Sequence, residues 1–202
     1  MRPDLDAPQA RCGHLVAYVA LCLFGGLRPS EAARLTWDQV NLTDGEIRLK
    51  GMQTKTGKGR IVVICKTLKA WLSKYRKAGE IYRSPYDAEL KKVRANIGYG
   101  PKTEAQPDLN PWVPDVLRHT AISQYFRLTG SYGRTAEQFG NSEGIIKKQY
   151  QGRVTSAETK VFYALRPKVA APRAIITPRP KIPTSPVSVV KRITALENRS
   201  QG

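Results

Sequence analysis

The stretch GGLRPSEAARL, residues 25–35, organises the first third of this chain. A mostly apolar segment from about Ala10 to Phe24 precedes it and contains no proline, which predicts a buried helix. The glycine pair ends that helix. Ser30 as N-cap, with Glu31 favoured by the helix dipole, predicts a second helix that continues to about Trp37. The stretch therefore predicts two helices separated by a glycine turn.

A β-hairpin is predicted next, from strands at residues 46–50 and 60–64. The first strand alternates polar and apolar residues, and the second is β-branched, which indicates a more buried strand. The connection at residues 51–59 holds three glycines and two lysines and should form the turn. Helices are predicted at residues 66–77, 87–96, 114–128, 134–139, 143–149 and 156–165. The helix near residue 114 has Val113, Leu117, Ala121, Tyr125 and Leu128 on its apolar face.

Charge points to a polyanionic partner. The 202 residues include 34 Lys and Arg against 16 Asp and Glu, a formal net charge of +18. Such an excess favours binding to nucleic acid. A hydrophobic fraction of 41% excludes a fully disordered chain. The last 36 residues, 167–202, hold six prolines and seven basic residues against one acidic residue, and predict a disordered basic tail behind a globular part at residues 1–166.

Several classes of site have no sequence support. The three cysteines and two histidines form neither a disulfide framework nor a metal site, so no metal and no cofactor is predicted. No phosphate-binding Gly-rich loop or Gly-x-Ser-x-Gly nucleophile motif occurs. The longest apolar run, residues 15–24, is half of the roughly 20 residues that a membrane span needs. A soluble protein of a reducing, cytoplasmic compartment is expected, with no membrane partner.

Four residues that could take part in a reaction follow one another along the chain. They are Arg28 in GLRPSEAARL, Lys55 in TKTGKGR, Arg118 in VLRHT and Tyr150 after GIIKKQ. Each alone has an ordinary explanation. An arginine after a turn or a lysine on a hairpin is usually solvated, Arg118 could form a peripheral salt bridge, and a tyrosine ending a short helix is usually part of the core. The ordered series is more specific than any of its members.

This series resembles the catalytic domain of the tyrosine recombinases, the phage integrase family, over about residues 10–165. The resemblance implies an α+β fold, mainly helical with a small antiparallel sheet that carries Lys55, the catalytic-domain fold of DNA breaking-rejoining enzymes. It also implies a metal-free reaction in which a tyrosine attacks a DNA phosphodiester. The product is a 3′-phosphotyrosine with a free 5′-hydroxyl, so the strand can be rejoined without ATP.

The resemblance assigns a role to each member of the series. Arg28 and Arg118 would clamp the non-bridging oxygens of the scissile phosphate, because guanidinium groups bind phosphate through two parallel bonds. Tyr150 would be the nucleophile. Lys55 would protonate the leaving 5′-oxygen as general acid, with Lys58 as a nearby alternative. Further contacts with DNA are expected from the basic residues Lys58, Arg60, Lys147 and Lys148.

Two positions depart from the family pattern. Asp115 stands where the family usually has a histidine, three residues before the second arginine. A carboxylate there would repel phosphate, so we expect Asp115 to cap the helix or to orient a neighbouring cation. Asn141 stands where the family usually has His or Trp, and its amide can still donate to a phosphate oxygen. His119 lies one residue beyond Arg118, about 100° around the helix, and is interpreted as a hydrogen-bonded histidine in or near the core.

The expected partners are double-stranded DNA and other protomers, assembled as a tetrameric synapse when active. The family usually carries a separate helical domain before the catalytic one, and the resemblance here starts at about residue 10. We expect that the sequence is cut, that the gene is a remnant or that another chain supplies this half of the DNA clamp. Half a clamp predicts weak, salt-sensitive binding. A nucleoid-associated protein of a bacterial or phage-like source is expected. Two alternatives stay open: a catalytically degenerate DNA-binding relative, and a basic RNA- or ribosome-binding protein.

Overall fold

The computed structural model describes residues 6–54, 57–82, 86–103 and 107–167, all within one compact unit that ends at Pro167. Eight α-helices and three β-strands are formed by these residues. The helices are α1 Asp6–Phe24, α2 Pro29–Ala33, α3 Lys66–Lys74, α4 Tyr86–Asn96, α5 Val116–Thr129, α6 Tyr132–Phe139, α7 Glu143–Tyr150 and α8 Ser156–Ala164. The strands are β1 Val40–Asn41, β2 Glu46–Leu49 and β3 Arg60–Val63. The basic tail, for which disorder was predicted, lies outside the described residues apart from Pro167.

The turn between α1 and α2 depends on Gly26, which has φ +62°. Arg28, not the predicted Ser30, is the N-cap of α2, because Pro29 takes the first helical position that proline favours. The helix is also shorter than predicted. It ends at Ala33, and the chain then forms a separate 3₁₀ turn at Trp37–Gln39 that buries the indole of Trp37.

The sheet is antiparallel in the order β1-β2-β3, with Ile47 opposite Val62. Its buried face presents Ile47, Leu49 and Val62 to the core. The prediction of a more buried β3 was wrong in part, because Ile61 and Val63 are 50% and 60% exposed on the other face. The side-chain amide of Gln138 in α6 pairs with β3. It accepts from the Val63 N–H at 3.1 Å and donates to the Val63 carbonyl at 3.0 Å.

The core has two parts. The larger cluster surrounds α1, whose side chains pack against α3, the sheet and Phe162 of α8. The smaller cluster joins α5, α6 and α7 through Ala121, Ile122, Phe139, Ile146 and Tyr150. The face predicted for α5 was wrong at its ends, since Val113 and Leu128 are exposed while Arg118 is buried. None of the described helices combines the length and apolar character that crossing a membrane requires.

Candidate active site

Arg28 lies at the start of α2 and points towards the turn that follows α6. Its Nη1 donates to Glu31 Oε1 at 2.9 Å, and its Nη2 lies 3.4 Å from both the Gly140 carbonyl and Asn141 Oδ1. About 20% of its side chain is exposed to solvent. The guanidinium is therefore fixed by local contacts while part of it can still reach a ligand.

Glu31 is the buried anion of the site. Its carboxylate accepts from the Arg28 backbone N–H at 2.9 Å and receives two bonds from Arg60, at 2.8 and 2.7 Å. Burial alone would raise the pKa of Glu31, but the hydrogen bonds and charges of the two arginines outweigh it and lower that pKa to about 2. Glu31 therefore carries a full negative charge that orients two guanidinium groups.

Arg118 enters the site from the first turn of α5 and is 4% exposed. It donates to the carbonyl of Gly26, to the carbonyl of Phe139 at 2.6 Å and to Asn141 Oδ1 at 2.9 Å. Burial, with repulsion from Arg28 next in size, lowers the pKa of Arg118 to about 10, so the group is charged at neutral pH. The described contacts use three of the five N–H groups of a guanidinium.

Asn141 is the meeting point of the two arginines. It follows Gly140, whose left-handed conformation (φ +63°) ends α6 and turns the chain back over the site. Its Oδ1 atom accepts from Arg28 and Arg118, residues that are 90 positions apart in the chain. Because the oxygen faces the arginines, the Nδ2 donor lies on the other side of the amide.

Tyr150 is the last residue of α7 and is 4% exposed. Its hydroxyl lies 2.7 Å from Nδ1 of His119, and the two rings are tilted by 29°. Burial raises the pKa of Tyr150. The positive charge of Arg118 opposes this shift, and the negative charge of Asp115 adds a smaller increase. The prediction of a hydrogen-bonded histidine in or near the core was wrong in part: His119 is hydrogen-bonded to a core residue, but it is exposed.

A groove runs beside Tyr150. One cavity of about 530 Å³ is lined by residues of α5 and α7, among them His119, Ser123, Gln149 and Tyr150. A second, of about 330 Å³, shares Ser123, Tyr150, Arg153 and Val154 with it. Both cavities border the segment that follows Tyr150.

Asp115 occupies the N-cap position of α5 with φ +56°, a left-handed conformation that aspartate tolerates better than most residues. Its side chain is exposed and makes no capping bond to a described backbone group. The Asp115 carbonyl accepts from the His119 N–H at 2.8 Å, which is the first main-chain bond of α5 and leaves the N–H groups of its first turn uncapped by Asp115. The prediction that the Asp115 side chain caps the helix was therefore wrong.

The predicted basic residues fall into three groups. Lys55 lies outside the described residues. Lys58, Lys147 and Lys148 are exposed, the last two in the final turn of α7. Arg60 differs from these, because its side chain is only 12% exposed and is paired with Glu31. Over the described part of the chain, no three His, Cys, Asp or Glu side chains cluster closely enough to hold a metal ion.

Comparison with known protein families identifies the family of this chain. Residues 6–131, more than half of the chain, match the family model described as the phage integrase family. The chain belongs to the phage integrase family. The prediction of a tyrosine recombinase catalytic domain is thereby confirmed. The matched segment includes Arg28 and Arg118 and ends before Asn141 and Tyr150. No curated protein matches the chain significantly.

Three solved structures can be compared with this chain. The catalytic domain of bacteriophage HP1 integrase is 26% identical with a TM-score of 0.47, covering 72% of this chain and 79% of that domain. XerA recombinase is 18% identical with a TM-score of 0.53 over 80% of this chain, and XerH recombinase is 16% identical with a TM-score of 0.50 over 77%. The chain spans 61% of XerA and 47% of XerH. The likeness to XerA, with the mainly helical architecture and small antiparallel sheet, confirms the predicted fold class.

Two residues of the site were not singled out from the sequence. Glu31 was interpreted only as a favourable charge at a helix start, and its bond to the Arg28 backbone N–H is the half of a capping box that a glutamate at the third helical position supplies. His119 was set aside because it lies about 100° around α5 from Arg118. No local signal could have found its contact with Tyr150, which is 31 residues further along the chain.

Proposed function

We propose that this chain is the catalytic domain of a site-specific tyrosine recombinase that cleaves and rejoins DNA through Tyr150. The observation that supports it most is the convergence of Arg28 and Arg118 on Asn141. A helix start, a first helical turn and a post-helix turn bring three groups that can bind phosphate to one point. This convergence suits the binding of a single phosphate, in addition to the structural bonds that Arg118 makes to two carbonyls.

In this proposal the two arginines hold the non-bridging oxygens of the scissile phosphate. Arg28 would contact the phosphate through the exposed part of its guanidinium. Arg118 would contact it through the N–H groups that its described hydrogen bonds do not use. The Asn141 amide would donate through Nδ2. Each such donor stabilises the charge that develops in the transition state, and losing one costs about 100- to 1,000-fold in rate.

Tyr150 would act as the nucleophile. Its oxygen forms a bond to phosphorus, and the bond from phosphorus to the 5′-oxygen breaks. Burial disfavours the phenolate, while Arg118 and Arg28 favour it. Lys55 would give a proton to the leaving 5′-oxygen, with Lys58 as the alternative on the same connection. Because the phosphotyrosine keeps the energy of the phosphodiester, rejoining needs no cofactor.

DNA would be held by the basic surface as well as by the site. Lys58, Lys147 and Lys148 are exposed and suited to phosphate contacts, whereas Arg60 would act on DNA indirectly, through Glu31 and the charge of the site. XerH recombinase is described as bound to a palindromic difH substrate in a post-cleavage complex. By analogy we expect duplex DNA as partner, further protomers in a tetrameric synapse, and a cytoplasmic, nucleoid-associated location.

A second candidate is a family member that binds DNA without cutting it. Asp115 favours this reading, because it raises the pKa of Tyr150 at the position where the family pattern has a histidine. The near-complete burial of Tyr150 agrees with it. Such a protein would still bind duplex DNA in a salt-sensitive way.

Covalent capture separates the two candidates. The full chain is incubated with nicked duplexes whose sequence around the nick is randomised, denatured, and assayed for DNA that stays attached. Mass spectrometry of the digested adduct then identifies the modified tyrosine. Tyr99→Phe is the matched control, because Tyr99 is a 40% exposed tyrosine that lines neither of the two cavities beside Tyr150.

The recombinase proposal requires a nucleotide adduct on Tyr150 that Tyr150→Phe abolishes and Tyr99→Phe leaves unchanged. Salt-sensitive DNA binding with no adduct in any pool would support the non-catalytic candidate instead. An adduct on a different tyrosine would refute the assignment of Tyr150. Tighter binding to structured RNA than to duplex DNA would favour the RNA-binding alternative.

A further inference from the structure

The hydroxyl of Tyr150 has a defined hydrogen-bond partner. Nδ1 of His119 lies 2.7 Å from the phenol oxygen, a normal distance for a hydrogen bond that involves a hydroxyl. The contact joins the first turn of α5 to the last residue of α7, and both ends are held. The His119 N–H bonds to the Asp115 carbonyl at 2.8 Å, and Tyr150 is packed in the smaller core cluster.

The other described neighbours of Tyr150 cannot take its proton. Arg118 and Arg28 act on it through their charge, and a guanidinium has no acceptor atom. Asp115 also acts on it through charge, but no hydrogen bond between the two is found within the described residues. Imidazole, in contrast, is the side chain best suited to exchanging a proton near neutral pH.

His119 also has access to water. It is exposed and lines the cavity of about 530 Å³ beside Tyr150. A proton taken from a buried tyrosine can thus pass through the imidazole to solvent and return by the same route. The nucleophile itself lacks such access because only 4% of Tyr150 is exposed.

We propose that His119 is the base that accepts the proton of Tyr150 during DNA cleavage. This inference rests on the proposed function, and it is argued from the hydrogen bond that His119, and not Asp115, makes to the Tyr150 hydroxyl in the described structure. As the tyrosine oxygen bonds to phosphorus, its O–H bond breaks and the proton goes to Nδ1 of His119. The electron pair of the breaking phosphorus–oxygen bond leaves with the 5′-oxygen, which takes a separate proton from the general acid.

Rejoining reverses both transfers. The 5′-hydroxyl attacks phosphorus, the tyrosine oxygen leaves, and the imidazolium of His119 returns its proton to that oxygen. The cleavage step requires the neutral tautomer that carries its hydrogen on Nε2. A doubly protonated ring would donate to the hydroxyl and could not accept from it.

The test measures single-turnover adduct formation by the full chain, on the nicked duplexes that the wild-type protein selects from the randomised pool. His119→Gln keeps a polar partner for the hydroxyl but has no basic nitrogen, so a loss of about 100-fold or more is expected. His119→Ala should lose as much and regain activity when imidazole is added, because the cavity is open to solvent. Gln149→Ala, in the same cavity, is the matched control and should stay near the wild-type rate.

Saturable rescue of His119→Ala by imidazole supports the inference, since a merely structural histidine would not be replaced by a free base. A rate within threefold of wild type for His119→Gln overturns it and leaves the proposed function intact. Loss of activity without imidazole rescue also overturns it and makes His119 a packing residue. If the wild-type chain forms no adduct on any duplex, the proposed function fails and this inference fails with it.

Discussion

Glu31 receives two hydrogen bonds from Arg60, at 2.8 and 2.7 Å, at a position where the glutamate is fully buried. The pair links α2 to β3, and Arg28 joins it at 2.9 Å. Protonation of one carboxylate would therefore release two arginines at once. The arrangement of the two arginines around Glu31 is therefore expected to be lost at low pH.

The free energy of unfolding should fall in acid because of Glu31. Its folded pKa of about 2 is below the ordinary 4.5, so its contribution is complete above pH 4.5 and is lost as the pH falls towards 2. The loss should be on the order of 3 kcal/mol. Urea unfolding of wild type and Glu31→Gln at several pH values measures it.

In Glu31→Gln the free energy of unfolding should be lower at pH 7, by about 3 to 5 kcal/mol, because Arg60 loses its buried partner. The variant should also depend less on pH between 4.5 and 2. Glu137→Gln, an exposed glutamate on α6, serves as the control and should keep the wild-type slope. An unchanged slope in Glu31→Gln would contradict the linkage.

Gly26→Ala should destabilise the fold by about 2 to 5 kcal/mol, from a left-handed residue and an overpacked core. A Cβ atom there would lie 2.1 Å from the ring of Phe139 at φ +62°. Gly130→Ala is the matched control, because Gly130 also has φ +62° but no described atom within 4 Å of the added carbon. Equal losses in thermal unfolding for the two variants would argue against the clash.

Loss of Arg118 should affect both stability and activity. Arg118→Ala leaves the carbonyls of Gly26 and Phe139 without their donor, at a cost of about 1 to 3 kcal/mol for each buried group. Arg118→Lys should recover part of the stability and little activity, because an ammonium cannot reproduce the planar fork. Chemical unfolding and the capture assay, performed on the same samples, separate the two effects. Activity of Arg118→Lys near wild type would rule out the clamp.

Lys55 and His119 should be distinguishable through the leaving group. A duplex with sulfur in place of the bridging 5′-oxygen expels a thiolate, which needs no proton from a general acid. Adduct formation by Lys55→Ala should therefore be restored on this duplex, while His119→Gln should stay slow. If Lys58→Ala is the variant that is rescued, the general acid is Lys58.

Asp115→Asn should lower the pKa of Tyr150, because it removes a negative charge that raises it. Asparagine tolerates the left-handed conformation at this N-cap, so the fold should be retained. A pH titration of the protein with ¹³C-labelled tyrosine rings, with the Tyr150 signal identified in Tyr150→Phe, measures the change. A pKa that stays constant or rises would show that Asp115 does not act on Tyr150.

The sequence allowed the helices, the hairpin and the ordered series to be predicted because those signals are local. Arg28 stands beside a glycine turn, and Asn141 follows a glycine that ends a helix. The Glu31–Arg60 pair could not be predicted, since the two residues are 29 positions apart and the chain between them must first fold. The contact of His119 with Tyr150 depends on which side of α5 is covered by α7. The spacing of apolar residues within α5 does not show which side that is.

Exposure within β3 illustrates the same limit. A run of β-branched residues indicates a strand but does not say how many of its faces are covered. Ile61 and Val63 remain exposed because the packing elements cover only the face that carries Val62. The burial of a strand is decided by its neighbours.

The amide of Gln138, which bonds to both main-chain groups of Val63, bears on how the protein avoids self-association. β3 lies at the rim of a three-stranded sheet and carries the apolar run Ile61–Ile64, the kind of segment that recruits strands from other molecules. A glutamine side chain here imitates the next strand and occupies the bonding positions that a second molecule would use. Concentrated protein should thus owe part of its resistance to aggregation to this one uncharged amide.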